Sequence, residues 1–293
     1  MTSSPSDDEI FEYLDKECIN TRLKNMVWWA YFSFRSPTAT AEIAKKQLEI
    51  LEDSIKVLVN RIGESKLGSI REKLKDQENM WQGLHEVYVA SHLCEIAQDI
   101  ELEVPNPDRP QKNFDIKANI DGTEINIEVT TRTDDFPPMD GQTHSRATVS
   151  PAFADNNQHS SHQVQHDRIP ESEDLRRRLL DKAIRQLPQG GINIIALGYK
   201  GIGDKDFYIT NALYGDPKYG FDKSLSPKEI ALLENRVKNG LCYEEDFKHI
   251  SAVMLIFPHT NEGTLYINPN SSKKLPSSVQ ELLVKTFNLN LDM

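Results

Sequence analysis

The chain has 293 residues, of which 38% are hydrophobic and 27% charged, and its formal net charge at pH 7 is −11. That acidic excess disfavours a protein that coats nucleic acid through bulk electrostatic attraction. No apolar run approaches the ~20 residues that cross a bilayer, and the first residues lack the basic and then apolar order of a signal peptide. We therefore expect a cytoplasmic protein with no membrane contact. The three cysteines form no CxxC pair, so we expect neither a disulfide framework nor a cysteine zinc site.

The first predicted region, residues 1–78, is helical. Apolar residues recur at helical spacing between Asp8 and Phe34 and again between Thr38 and Lys66. An aromatic cluster around Trp28 and Trp29 is typical of core packing between helices. A homodimer, or a scaffold that binds a partner through these N-terminal helices, is also compatible with the pattern.

The second predicted region, residues 79–293, alternates helices and strands. A helix that carries Glu86 precedes a strand and then two strands joined by a turn. A polar stretch at about 134–171, rich in turn residues, predicts a long flexible loop. A basic helix, a buried strand, two further strands and a closing helix follow. This order predicts the α/β class, with one central mixed β-sheet flanked by helices.

Acidic residues lie among the Ile and Val residues of the two strands joined by the turn. Asp121-Gly122 is a strong hairpin signal, and a turn there brings Asp115 and Glu128 side by side. Two close carboxylates repel unless a cation lies between them, and oxygen ligands suit Mg²⁺ or Mn²⁺. The alternation of polar and apolar residues, which puts Phe114 and Ile116 on one face, is also typical of a hairpin at the protein surface. Periodicity alone favours the surface hairpin over a metal site.

The order of these elements resembles the PD-(D/E)xK, or restriction-endonuclease-like, nuclease superfamily. Its signature is an Asp, a short gap and then Glu-x-Lys on the next strand, often with a Glu on the preceding helix. In this chain Asp115, Glu128 and Glu86 match those positions, over a resemblance from about Trp81 to Phe287. The resemblance implies a restriction-endonuclease-like core with an α-helical N-terminal extension.

Metal-dependent phosphodiester hydrolysis of nucleic acid, DNA rather than RNA, is the activity that the resemblance implies. Glu86, Asp115 and Glu128 would hold Mg²⁺ or Mn²⁺, with the Val129 carbonyl as a further ligand. Bound metal polarises the scissile phosphate and lowers the pKa of the attacking water. For Glu86 alone, the alternative of a solvated helix residue stays open.

The signature lysine is replaced by Thr130, which carries no charge. Some members of the superfamily place the lysine on the following helix, where Lys182 and Gln186 share one face with Arg178. Lys117, on the same strand face as Asp115, is a second candidate. If nothing replaces the lysine, the chain is a catalytically inactive binding or regulatory protein of the same fold.

Three consecutive arginines begin the basic helix. Arg176, Arg177 and Arg178 are typical of a solvated helix face. In so acidic a protein they are also the residues that we expect to contact the phosphates of bound nucleic acid.

Overall fold

The computed structural model describes Tyr13 and residues 37–76, 79–131, 171–198, 206–216, 236–258 and 262–292. Its helices are α1 (Pro37–Ile62), α2 (Gly68–Lys75), α3 (Met80–Ile96), α4 (Glu171–Arg185), α5 (Asp206–Tyr214) and α6 (Ser277–Thr286). Its strands are β1 (Ala97–Asn106), β2 (Arg109–Ile120), β3 (Thr123–Thr131), β4 (Ile192–Gly198), β5 (Ile250–Phe257), β6 (Glu262–Ile267) and β7 (Leu289–Asp292). Short 3₁₀ turns lie at Glu64–Leu67, Leu241–Tyr243 and Glu245–Phe247.

The strands of the described residues form one 7-stranded mixed sheet whose spatial order is the chain order. Neighbours are antiparallel in the pairs β1/β2, β2/β3 and β5/β6, and parallel in β3/β4, β4/β5 and β6/β7. Parallel neighbours need a crossover, and α4, α5 and α6 lie in the three segments that join them. The predicted α/β class, with a central mixed sheet flanked by helices, is confirmed.

Hydrophobic cores lie on both faces of this sheet. Along β4, Ile194 and Ala196 belong to the cluster that α1, α3 and α6 cover, whereas Ile195 and Leu197 belong to the cluster that α4 and α5 cover. A strand covered on both faces is apolar at successive positions, as the sequence of β4 is. The central strands are therefore rigid supports for the side chains at their ends.

Helices α1 and α2 pack in the same core as the sheet. Leu51 and Ile55 of α1 and Leu74 of α2 share a cluster with Ile125 of β3. The predicted helix between residues 8 and 34, which carries the tryptophan cluster, lies outside the described residues apart from Tyr13. The predicted loop at 134–171 also lies outside them, apart from Glu171. The N-terminal extension, the division at residue 78 and a dimer through these helices stay predictions. No helix in the described ranges is both long and apolar enough to span a membrane.

The hairpin between β2 and β3 forms at the predicted turn. Asp121 and Gly122 both have positive φ, 51° and 72°, as a type I′ turn requires. The register then pairs Lys117 with Asn126 and Ile116 with Ile127. Continued by one residue, this register sets Asp115 opposite Glu128, as predicted.

The alternation of faces breaks at Asp115. Ile116 and its β1 neighbour Leu102 pack on the α3 side of the sheet, but Phe114 and Val104 pack on the α4 side. The prediction that Phe114 shares a face with Ile116 is therefore wrong. The same change of face in β1 coincides with an unusual backbone conformation at Glu103, whose φ is 53°. Such a φ is rare outside glycine and rotates the strand locally.

A close contact joins α3 to the ends of β3 and β4. A Cβ atom added to Gly198 would lie 2.3 Å from Cγ and Nδ1 of His85. That ring is 1% exposed, and its Nδ1 is 2.7 Å from Oγ1 of Thr131. Only glycine at residue 198 therefore leaves room for the histidine.

We expect Gly198→Ala to lower the free energy of unfolding by about 1–3 kcal/mol, because the added methyl group overfills a closed contact. Urea denaturation measures the change. Gly190→Ala is the matched control, since a Cβ there meets nothing within 4 Å. The double variant Gly198→Ala/His85→Ala should recover part of the loss, and a Gly198→Ala protein as stable as the wild type would contradict the steric explanation.

Candidate functional site

A fork opens between β2 and β3 where Asp115 and Glu128 lie. The last β2/β3 pair is Ile116 with Ile127. Beyond it β3 continues along β4 up to the pair of Thr131 with Gly198, while β2 remains paired only with β1. The two carboxylates therefore occupy the first positions on the two arms of the fork.

Side chains replace the backbone hydrogen bonds that β3 loses at this fork. Asp115 Oδ2 accepts the Val129 N–H at 2.8 Å, and Gln82 Nε2 of α3 donates to the Val129 carbonyl at 2.7 Å. The fork is thus held open with both polar groups of Val129 satisfied. The predicted metal-ligand role of the Val129 carbonyl stays a prediction, and Gln82 is its observed partner.

On one side of Asp115, carboxylates from three elements surround Lys73 of α2. Its Nζ lies 2.8 Å from Oε1 of Glu86, 3.0 Å from Oε1 of Glu103 and 3.5 Å from Oδ1 of Asp115. We call Glu86, Glu103 and Asp115 the acidic cluster. Glu86 is 2% exposed, so the alternative of a solvated helix residue is wrong.

On the other side of the fork, Glu128 is paired with Lys182 of α4. The Lys182 ammonium donates to Glu128 Oε1 at 2.6 Å. The second oxygen, Oε2, is buried and has no hydrogen-bond partner among the described residues. A carboxylate oxygen without a donor in a buried position is unusual, and a bound cation is one way to satisfy it.

Lys182 lies where the sequence predicted a substitute for the signature lysine. Two residues near it, Thr130 and Gln186, line the same cavity. The other candidate, Lys117, instead forms an ion pair with Glu124 at 2.8 Å on the hairpin. The structure therefore brings Lys182, and not Lys117, to Glu128.

A cavity of about 540 Å³ opens beside the fork. Three acidic side chains, those of Glu103, Asp115 and Glu128, line it together with three ammonium groups, those of Lys73, Lys112 and Lys182. The neutral polar residues that complete the wall are Asn79, Gln82, Gln111, Asn113, Thr130, Thr131 and Gln186. A wall of cations and amide groups above buried acids suits an anionic, hydrogen-bonding ligand.

No family model, curated protein or solved structure matches this chain.

The acidic cluster could hold a metal ion. One carboxylate oxygen from each member of the acidic cluster lies within 4.8 Å of the others. Glu128, across the fork, is not a member of this group, and its buried Oε2 has no hydrogen-bond partner among the described residues. Oxygen ligands of this type suit Mg²⁺ or Mn²⁺, and the four carboxylates outnumber the two ammonium groups paired with them.

None of the three predicted phosphate contacts lines the cavity. Arg176 is turned toward α5, where it donates to the Asn211 carbonyl at 2.8 Å and pairs with Asp216 at 3.0 Å. Arg177 and Arg178 form ion pairs with Asp174 at 2.7 and 2.8 Å. Their contact with nucleic acid stays a prediction, and the cations nearest the acids are lysines.

Two residues of the site have no counterpart in the sequence prediction. Glu103, whose φ is 53°, belongs to the acidic cluster, and Ser69 donates to its Oε1 at 2.6 Å. Lys73 arrives from α2, which packs against α3 through Leu74 and Gly83. A single sequence carries no motif for either contact, although the acidic residue in the middle of a strand pattern is a weak signal for Glu103.

Burial raises the pKa of both glutamates that flank Asp115. Loss of solvent, with the negative charge of Asp115 added, raises the pKa of Glu128 to about 8 and that of Glu86 to about 7. The ammonium groups of Lys182 and Lys73 act in the opposite direction but only partly offset these effects. Groups with such shifts are frequent at functional sites.

We expect the metal-free protein to lose stability between pH 7 and pH 8 because of Glu128. Its pKa is 4.5 in the unfolded chain and about 8 in the folded one, so the folded state binds more protons over this interval and its free energy of unfolding falls as pH rises. Urea denaturation in EDTA at the two pH values measures the change. Glu128→Gln should flatten the slope, and parallel slopes for the variant and the wild type would contradict the shift.

Proposed function

We propose that this protein is a metal-dependent phosphodiester hydrolase that cleaves nucleic acid, DNA rather than RNA, on a restriction-endonuclease-like core. The observation that carries the proposal is the convergence of Asp115, Glu128 and Lys182 at the fork, with Lys182 Nζ 2.6 Å from Glu128 Oε1. A pair of acidic side chains that can hold a metal ion, with an ammonium beside it, suits metal-dependent phosphodiester hydrolysis.

The order of elements around the fork supports this proposal. Helix α3 supplies Glu86, β2 supplies Asp115, β3 supplies Glu128, and α4 supplies Lys182. That is the order of the superfamily signature, with the lysine moved from Thr130 to the following helix. Helix α4 can supply the ammonium because the Lys182 side chain extends from α4 to Glu128 of β3.

Each residue at the fork has a distinct role in the proposed reaction. Asp115, Glu128 and Glu86 would hold Mg²⁺ or Mn²⁺, which supplies Lewis acidity and a more acidic bound water. Lys182 fixes the Glu128 side chain and presents its ammonium to the cavity, where it offsets the charge that develops on the phosphate. Thr130 and Gln186 offer uncharged hydrogen-bonding groups for the substrate or the attacking water.

The cavity wall suits the backbone of a nucleic acid. Lys112 and Lys73 add positive charge, and Asn113 and Gln111 add amides that can contact phosphate and sugar oxygens. Local charge of this kind permits binding by a protein whose net charge is negative. We place the activity in the cytoplasm.

A second function follows from the ion pairs of Lys73. Its ammonium already neutralises part of the acidic cluster, an arrangement that a catalytically inactive protein of this fold could keep for stability alone. Such a protein would bind nucleic acid or a regulatory partner without cleavage. An interaction scaffold built on the N-terminal helices is a third function.

Cleavage assays distinguish the first two functions. The full chain is incubated with single-stranded and double-stranded DNA and RNA, in Mn²⁺ and in EDTA. The proposal expects cleavage of DNA in Mn²⁺ and none in EDTA. Binding of these nucleic acids without cleavage of any of them in Mn²⁺ would favour the inactive protein instead.

A further inference from the structure

Lys73 occupies the centre of the acidic cluster. Its Nζ lies within 3.5 Å of an oxygen on each of the three carboxylates, and it donates to both oxygens of Glu86, at 2.8 and 2.9 Å. A divalent cation bound to these carboxylates takes their oxygens at ~2.0–2.1 Å. The ammonium and the ion therefore need the same oxygens.

The two cations cannot share that centre. An ammonium and a divalent ion ~4 Å apart repel strongly even at an effective dielectric constant of ~20. One of them must leave. Glu86 and Asp115 are the less mobile partners, because their side chains are 2% and 12% exposed, whereas Glu103 is 30% exposed. The Lys73 side chain is 26% exposed, and its flexible stem borders the cavity.

A separate oxygen near the fork lacks a hydrogen-bond partner while Lys73 is in place. Oε2 of Glu128 is buried without a hydrogen-bond partner in the described part of the chain. Lys182 pairs with the other oxygen of the same carboxylate. Lys73 therefore forms ion pairs with the acidic cluster but leaves Oε2 of Glu128, on the other arm of the fork, without a hydrogen-bond partner.

We propose that Lys73 is a tethered competitor of the divalent cation: its ammonium fills the acidic cluster in the metal-free protein and moves out when the ion binds. This inference rests on the proposed function, because it takes the acidic cluster to be part of the hydrolase's metal site. Lys73 thereby sets the metal concentration at which the site loads.

The test is the affinity of the apoprotein for Mn²⁺, measured by calorimetry with no nucleic acid present. Removal of the competing unit charge in Lys73→Met should tighten Mn²⁺ binding by at least about tenfold. The control is Lys75→Met, which removes a lysine from the same helix that is 51% exposed and pairs with Glu72 at 3.7 Å. Its Mn²⁺ affinity should equal that of the wild type.

Equal or weaker Mn²⁺ binding by Lys73→Met would overturn the proposal. Amine labelling of the wild type keeps the test independent of whether that variant folds. Reductive methylation read by mass spectrometry should label Lys73 faster in saturating Mn²⁺ than in EDTA, with Lys75 as internal reference. Unchanged labelling of Lys73 while Mn²⁺ is bound would also overturn it.

Failure of the competitor role and failure of the hydrolase give different results. Tighter Mn²⁺ binding by Lys73→Met, in a protein that cleaves no nucleic acid, supports the competitor role and overturns the hydrolase. Cleavage by the wild type, with equal Mn²⁺ affinities for variant and wild type, overturns the competitor role alone.

Discussion

Replacement of Asp115 by Asn is expected to lower Mn²⁺-dependent cleavage by about 1,000-fold, because it removes several kcal/mol of charge stabilisation at the metal site. The side chain lies at the fork between Lys73 and Glu128, and burial raises its pKa. The amide oxygen of Asn can still accept the Val129 N–H that Asp115 Oδ2 binds at 2.8 Å. The fold should therefore survive, and cleavage rates measured beside thermal melts separate the two effects.

Asp121→Asn is the matched control for this variant. It removes the same charge from the same hairpin, at an exposed turn position with a φ of 51° that Asn readily adopts. Its cleavage rate and melting temperature should equal those of the wild type. If Asp115→Asn kept wild-type cleavage, Asp115 would not be part of a metal site.

Lys182→Met is expected to lower cleavage by about 100- to 1,000-fold, the usual effect of removing one group that stabilises transition-state charge. It should also lower the free energy of unfolding by about 1–3 kcal/mol, because the buried Glu128 carboxylate loses its donor. Lys182 Nζ is 2.6 Å from Glu128 Oε1, and the Glu128 side chain is 3% exposed to solvent. Cleavage rates and urea denaturation measure the two quantities.

A second variant separates catalysis from stability at this position. Lys182→Gln keeps a donor for Glu128 but no charge, so it should fold nearly as well as the wild type and still cleave poorly. Arg185→Met, which removes a cation from the same helix at a side chain 66% exposed, is the control. Cleavage by Lys182→Gln at the wild-type rate would exclude Lys182 as the substitute for the signature lysine.

Local chemistry explains what the sequence predicts correctly in this fold. The turn at Asp121-Gly122 depends on two residues that accept positive φ, and the register that brings Asp115 opposite Glu128 follows from it. Lys182 is predictable because helical spacing fixes which side chains share a face. The α/β class follows from the alternation of helical and strand periods.

Non-local geometry explains what the sequence leaves out. Glu103 joins the acidic cluster at a point of β1 where its φ is 53°, although it is not glycine, and the faces of β1 and β2 change beside it. Lys73 joins through the packing of α2 on α3. Helix α5 and strand β7 are 9 and 4 residues long, and segments so short carry too few periods to be predicted.

A crystal structure of the protein grown with Mn²⁺, with the metal located by its anomalous scattering, tests the proposed metal site most directly. We expect one Mn²⁺ ion bound jointly by Asp115 and Glu128, with Oε2 of Glu128 among its ligands and the Lys73 ammonium moved out of the acidic cluster. A crystal in saturating Mn²⁺ with no ion at the fork, and with Lys73 still between Glu86 and Asp115, would contradict it.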